Sequence, residues 1–153
     1  MTLADGVLRE ASPGDAEALA RLWQRAWRSA NPQVHEDAVA PHAHWLERAR
    51  HEFFGAAECW MAGCSDLRGF LVIEPATRYV AQLHVDPAWQ GCGIGRRLLA
   101  QACDRMPHGW SLHAAENNRK AQRFYAAAGL RPAGRSIHPD TGRHRVEWHW
   151  APA

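Results

Sequence analysis

The chain has 153 residues, 46% of them hydrophobic and 22% charged, a balance that argues for one packed domain rather than a disordered chain. Eighteen basic against sixteen acidic residues leave a net charge of +2, and no basic block carries interleaved aromatics, so neither nucleic acid nor a membrane is an expected partner. Four cysteines without CxxC spacing, no apolar leader in MTLADGVLRE and no run of about 18 apolar residues point to a reduced, soluble, cytoplasmic protein.

Residues 3–10 are expected to form a short first strand. Ser12 stands as an N-cap before Pro13, with Asp15 three residues after it. Leu19, Leu22, Trp23, Ala26 and Trp27 then recur at helical spacing until Asn31-Pro32 stops the pattern. A second helix over 42–54 aligns Trp45, Ala49 and Phe53 on one stripe. Beyond Gly55 the period changes. Strands are expected over 59–62 and 69–74, joined by a turn over 63–68, and a third over 79–85. Strict alternation in that third strand sets Tyr79, Ala81, Leu83 and Val85 on one face and Val80, Gln82 and His84 on the other. Leu98, Leu99, Ala102, Cys103 and Met106 form a helical stripe ended by Pro107 and Gly109. A short strand over 110–115 follows, then a helix carrying Ala121, Phe124, Tyr125 and Ala128, with Gly129 at its end. Ser136-Ile137 and Val146, Trp148 and Trp150 flank a hairpin turn at Asp140-Thr141-Gly142. Antiparallel strands first and a strand–helix–strand unit later imply an α/β domain with one parallel strand pair.

Between the third strand and its helix lies VDPAWQGCGIGRRLL, residues 85–99, with glycines at 91, 93 and 95. A loop that opens a helix aims unpaired N–H groups and the positive dipole end outward, and glycines let a large anion approach the backbone. Two phosphate-binding patterns fail on spacing. No Lys-Ser/Thr follows, as a P-loop requires, and the last position of Gly-x-Gly-x-x-Gly falls on Arg96 or Leu98. Read alone, the loop fits a ligand site or a tight turn equally well.

Two segments together resemble the GNAT N-acetyltransferases. Gln90-Gly91-Cys92-Gly93-Ile94-Gly95-Arg96, after Val85-Asp86-Pro87, is similar to that family's Gln/Arg-x-x-Gly-x-Gly/Ala acetyl-CoA signature. Residues 118–130, NRKAQRFYAAAGL, are similar to its Asn-x-x-Ala-x-x-Phe-Tyr-x-x-x-Gly-Phe/Leu segment. The resemblance is strongest over residues 79–130 and implies one acetyltransferase domain over 1–153. The implied fold is α/β of GNAT type: a mixed, mostly antiparallel sheet, splayed between its central parallel strands, with helices on both faces. The implied activity is acetyl-CoA-dependent transfer of an acetyl group directly to an amine. The alternative is a CoA-binding regulatory or interaction module that keeps the fold without turnover.

By the same resemblance, the CoA pyrophosphate would rest on the backbone of Gln90, Gly91, Cys92, Gly93, Ile94, Gly95 and Arg96. The pantetheine arm would pair with Leu83 and Val85 like an added strand. Asn118 would hydrogen-bond that arm, against the plainer reading that it caps a helix, and Ala121 would leave room beside it. Trp89 is expected to pack rather than bind. Tyr125 matches the family's general acid, against the plainer reading of a core tyrosine beside Phe124. A backbone N–H near Val85 would stabilise the oxyanion. The base has no fixed position in the family. His84 is the first candidate, because imidazole titrates near neutral pH, with Glu74, His113 and a water relay behind it.

His42, His44 and His51 crowd one segment without a third ligand in a defined relation, so no metal is expected. In GNAT folds the first two helices and the last hairpin border the acceptor, which makes Trp27, Trp45, His138 and His144 candidates for its walls. The expected acceptor is a small-molecule amine, with a peptide N-terminus or lysine as the other class, and a homodimer is an open expectation. Two features depart from the family pattern: His113 sits on a strand usually more apolar, and Pro132 suggests a late start for the next strand.

Overall fold

A computed structural model describes residues 7–63 and 66–153; residues 3–6 of the expected first strand, and Cys64, lie outside the described residues. The chain runs β1 (Leu8–Glu10), α1 (Ala16–Ala30), α2 (His42–Glu52), β2 (Glu58–Ala62), β3 (Gly69–Glu74) and β4 (Tyr79–Val85). It continues through α3 (Ile94–Arg105), β5 (Trp110–Ala115), α4 (Arg119–Ala127), β6 (Arg131–Ile137) and β7 (His144–Trp150). Ser12 caps a 3-10 turn that leads into α1, and the Asp15 carboxylate holds the turn by accepting from Ser12 N–H at 2.9 Å and from Arg9. Among the described residues no helix is long and apolar enough to cross a membrane.

The strands form one sheet in the order β1-β2-β3-β4-β5-β7-β6, antiparallel throughout except between β4 and β5. Each face carries its own core. On one, α1 and α2 bury Leu19, Leu22, Trp23 and Phe53 against Cys59, Phe70 and Val72. On the other, α3 and α4 set Ile94, Leu98 and Tyr125 against Leu71, Ile73, Leu112 and Trp148. Because helices cover both faces, β3 reads as an unbroken apolar run, buried from Gly69 to Ile73. This is the expected mixed α/β sheet with helices on both sides.

Two irregularities shape the middle of the sheet. β4 and β5 pair in register only at Tyr79 and Ser111, and from there the two strands part. In β4, Val72 faces Gln82 while the next residue of β3, Ile73, faces Val80, so Ala81 is an extra residue, a β-bulge. The bulge resets the alternation. Val80 joins Leu83 and Val85 on the α3 face, whereas Ala81 packs with the α1–α2 core. The expected pairing of Ala81 with Leu83 and of Val80 with His84 is therefore corrected, since strict period-two reading has no place for an unpaired residue. A second correction concerns Pro132. β6 begins at Arg131 and includes it, because β6 is the sheet edge and its register slips between Pro132 and Gly134, where a missing N–H costs no ladder bond.

Candidate active site

The loop after β4 is anchored before it becomes open. Asp86 accepts from Ala88 N–H at 3.0 Å and pairs with Arg25 of α1 at 2.9 Å. Trp89 packs on the core, with the Arg68 guanidinium 3.8 Å from its ring centroid. Gly91 and Gly93 then adopt φ of 82° and 87°, the left-handed region, with open space where a Cβ would stand. None of the amides of residues 91–96 has a backbone acceptor among the described residues; the first that does is Arg97, bonded to Gly93 O at 3.1 Å. A Cβ on Gly95 would lie 2.9 Å from the Phe124 ring, so this glycine lets the start of α3 lie close against α4. Lys120 of α4 closes the same corner by donating to Gln90 Oε1 at 2.6 Å.

Where β4 and β5 part, a cleft of about 250 Å³ opens. Leu83, Asn118, Ala121 and Tyr125 line it beside His84 and His113. The end of α1 contributes Trp27 and Asn31, and the β6–β7 turn contributes Arg143. Asn118 caps α4, its Oδ1 accepting from Ala121 N–H at 3.1 Å, which leaves its two amide donors free of that task.

The titrating groups of this cleft differ by their surroundings. Burial pushes the Tyr125 hydroxyl up to about 12, and that hydroxyl has no hydrogen-bond partner among the described residues. Burial lowers His84 to about 4. Its ring lies 5.4 Å from Phe70 and 6.4 Å from Trp23, and its Nε2 faces Gln82 Oε1 at 2.8 Å, so Nε2 carries the proton and Nδ1 the lone pair. His113 sits between two partners. Tyr79 Oη lies 2.7 Å from Nδ1 and Glu147 Oε1 lies 3.4 Å from Nε2. Burial and Arg145 lower its pKa, opposed by Glu147. Glu147 Oε2 in turn meets the exposed His149 at 2.6 Å.

Free amides at a helix start, room over Gly91 and Gly93, and a gap between two parallel strands fit a phosphorylated, extended acyl carrier. The model of the acetyltransferase (GNAT) family matches residues 16–130. The chain belongs to that family. It is an N-acetyltransferase, and GNAT acetyltransferases use acetyl-CoA. Peptidyl-lysine N-acetyltransferase YjaB of Escherichia coli is 27% identical over 138 residues, 89% of each chain. The solution structure of its apo form superposes with a TM-score of 0.77 at 22% identity, covering 96% of this chain and 98% of that one. The PaiA N-acetyltransferase of Thermoplasma acidophilum, solved with coenzyme A, gives 0.73 at 19% identity over 92% and 96% of the two chains. Spermidine N-acetyltransferase SpeG of Vibrio cholerae gives 0.67 at 21% identity over 95% and 94%.

In this acetyltransferase the loop from Gln90 to Arg96 leads into α3 and is not part of the cleft lining, whereas Leu83, His84, Asn118, Ala121 and Tyr125 of the residues read from the sequence line the cleft. Val85 stands at its edge, where Gln90 Nε2 reaches Val85 O at 3.5 Å. Glu74 lies instead in an adjoining hollow with His51 and Glu52, which shares Ala81 and Gln82 with the cleft. Of the four expected acceptor walls only Trp27 lines it. Trp45 is buried between α1 and α2 with its Nε1 on Ala40 O at 3.0 Å, and His138 caps the last turn through Nδ1. His144 stands exposed at the start of β7, opposite Ile137. Gln82, Asn31, Arg143 and the Tyr79–Glu147 pair around His113 had no sequence signal, because long-range folding alone brings them together.

Proposed function

We propose that the protein transfers the acetyl group of acetyl-CoA directly to a small amine, with Tyr125 as general acid and His113 as the proton acceptor. Acetyl-CoA supplies an activated thioester. The amides of residues 91–96 hold its pyrophosphate, with Arg96 and Lys120 adding positive charge. Leu83 and Val85 offer the free edge of β4 to the pantetheine arm, and Asn118 donates to it. A β4 amide near Val85 donates to the carbonyl oxygen as negative charge builds there.

The observation that carries this reading is the unpaired Tyr125 hydroxyl on the cleft wall, protonated across the neutral range. It gives its proton to the departing sulfur. The proton shed by the amine passes through water and the Tyr79 hydroxyl, 2.7 Å from Nδ1, to His113, whose imidazolium then has an acceptor at each nitrogen, Tyr79 Oη and Glu147. His84 was the first candidate from sequence, but partial burial beside Phe70 and Trp23 disfavours its imidazolium, so we assign it to shaping the cleft.

Amine-dependent thiol release from acetyl-CoA, with mass detection of the N-acetylated product, tests the reaction. A panel of amino acids, monoamines, polyamines and lysine peptides should include at least one acceptor. Tyr125→Phe should lower the rate about 10²–10⁴-fold on that acceptor, because a positioned proton donor contributes on that order. A variant at the wild-type rate would remove Tyr125 from the mechanism.

A further inference from the structure

The lining of the cleft holds Arg143 and two histidines, and no aspartate or glutamate. Arg143 is fixed from a distance of 112 residues in sequence: Nη1 donates to Asn31 Oδ1 at 3.0 Å. Asn31 is itself oriented, because its Nδ2 donates to Trp27 O at 2.8 Å. The guanidinium carbon lies 5.7 Å from the centroid of the Trp27 ring. No carboxylate pairs with Arg143 among the described residues. A guanidinium has five N–H donors in a fixed fork that matches a carboxylate, and this one is oriented with most of them uncommitted.

Resting on the acetyltransferase reading above, we infer that the acceptor is an amine that carries a carboxylate, and that Arg143 binds it. A polyamine would bring several positive charges to a wall that already holds a cation and no anion. Glu52, held by Arg48 through bonds of 2.7 and 2.9 Å, and Glu74 line the adjoining hollow beyond Gln82 and not the cleft itself. An amine with one carboxylate brings one charge of each sign, and Arg143 offsets the negative one. The absence of an acid from the lining has a second consequence. No carboxylate in that lining pairs with the ammonium form, so the amine is kept closer to the neutral state that attacks.

The test is a series of ω-amino acids from glycine to 6-aminohexanoate, each against its amide, with spermidine and a lysine peptide as comparators. Thiol release should favour the best acid over its amide by about 3–10-fold in kcat/KM, the range of a fork-shaped ion pair at an exposed guanidinium. In Arg143→Gln that preference should vanish through a higher KM rather than a lower kcat, and Arg143→Lys should restore part of it. A Kd for CoA equal to that of the wild type would show that the variants are folded. Equal turnover of acid and amide, a preference for spermidine or the peptide, or a preference that survives Arg143→Gln would overturn the inference. If no amine releases thiol, the acetyl-transfer reading fails separately. Calorimetry of the same ω-amino acids with the CoA-loaded protein then decides Arg143: binding lost in Arg143→Gln supports it, and no binding to the wild type overturns it.

Discussion

His84 and His113 are both drawn toward the neutral form, and we propose only the second as the proton acceptor. His113 has Tyr79 on one nitrogen and the Glu147 carboxylate on the other, with the exposed His149 beyond. His113→Gln should lower kcat by roughly 10²-fold and remove the acidic limb of the kcat/KM profile, while the Kd for CoA holds. A profile that keeps its acidic limb would transfer the base role elsewhere. His84 leaves its mark on stability instead. Its folded pKa is about 4 against an ordinary 6.5, so between those values the unfolded chain binds the extra proton. Stability therefore rises with pH from about 4 to 6.5 and is complete above it. Asp15 acts below that window, since Arg9 and Ser12 hold its carboxyl at about 2. Urea unfolding of His84→Gln across the same range should show a shallower slope than the wild type. An unchanged slope would mean that the ring is solvated.

At the scale of elements, helices and strands were legible because periodicity is local. Leu19, Leu22, Trp23 and Ala26 mark the buried face of α1, and the apolar run of β3 marks a strand covered twice. The glycine loop and the Asn118–Tyr125 segment pointed to a cofactor only through their resemblance to the GNAT pattern. A short local stretch can carry that resemblance where its spacing alone left a tight turn equally open. The bulge at Ala81 left no trace, since one extra residue in Val80-Ala81-Gln82 has ordinary side chains and only the pairing with β3 defines it. The acceptor side was equally hidden, because Asn31 and Arg143 meet across the whole fold. The local part can be broken locally. Gly91→Ala places a Cβ at φ 82°, where the strain is about 1–2 kcal/mol, although the space around it is open. The loop should relax that strain by turning its amides, raising the Kd for CoA by about tenfold with kcat at saturation little changed. A Kd equal to the wild type would show that the loop amides do not hold the pyrophosphate.

Charge is divided along the chain in a way the net value conceals. Residues 1–85 hold eight Lys and Arg against eleven Asp and Glu, whereas residues 86–153 hold ten against five. The basic half supplies the glycine loop, α3, α4 and the final hairpin with Arg143, while β4 and the end of α1 bring the other side of the cleft from the acidic half. The consequence is a field that draws polyanions to the groove and adds to the loop amides at closer range. Screening separates the two contributions. The Debye length falls from about 10 Å at 0.1 M salt to about 3 Å at 1 M, which removes the field of the half-molecule but spares hydrogen bonds at contact. Raising salt from about 0.05 to 0.5 M should therefore weaken CoA binding by roughly tenfold. An acetyl-pantetheine thioester without phosphates should change less than about twofold over that range, because it senses the strand edge and not the charge. Equal salt dependence for the two donors would show that the basic half does not recognise phosphate, and would leave recognition to the loop backbone alone.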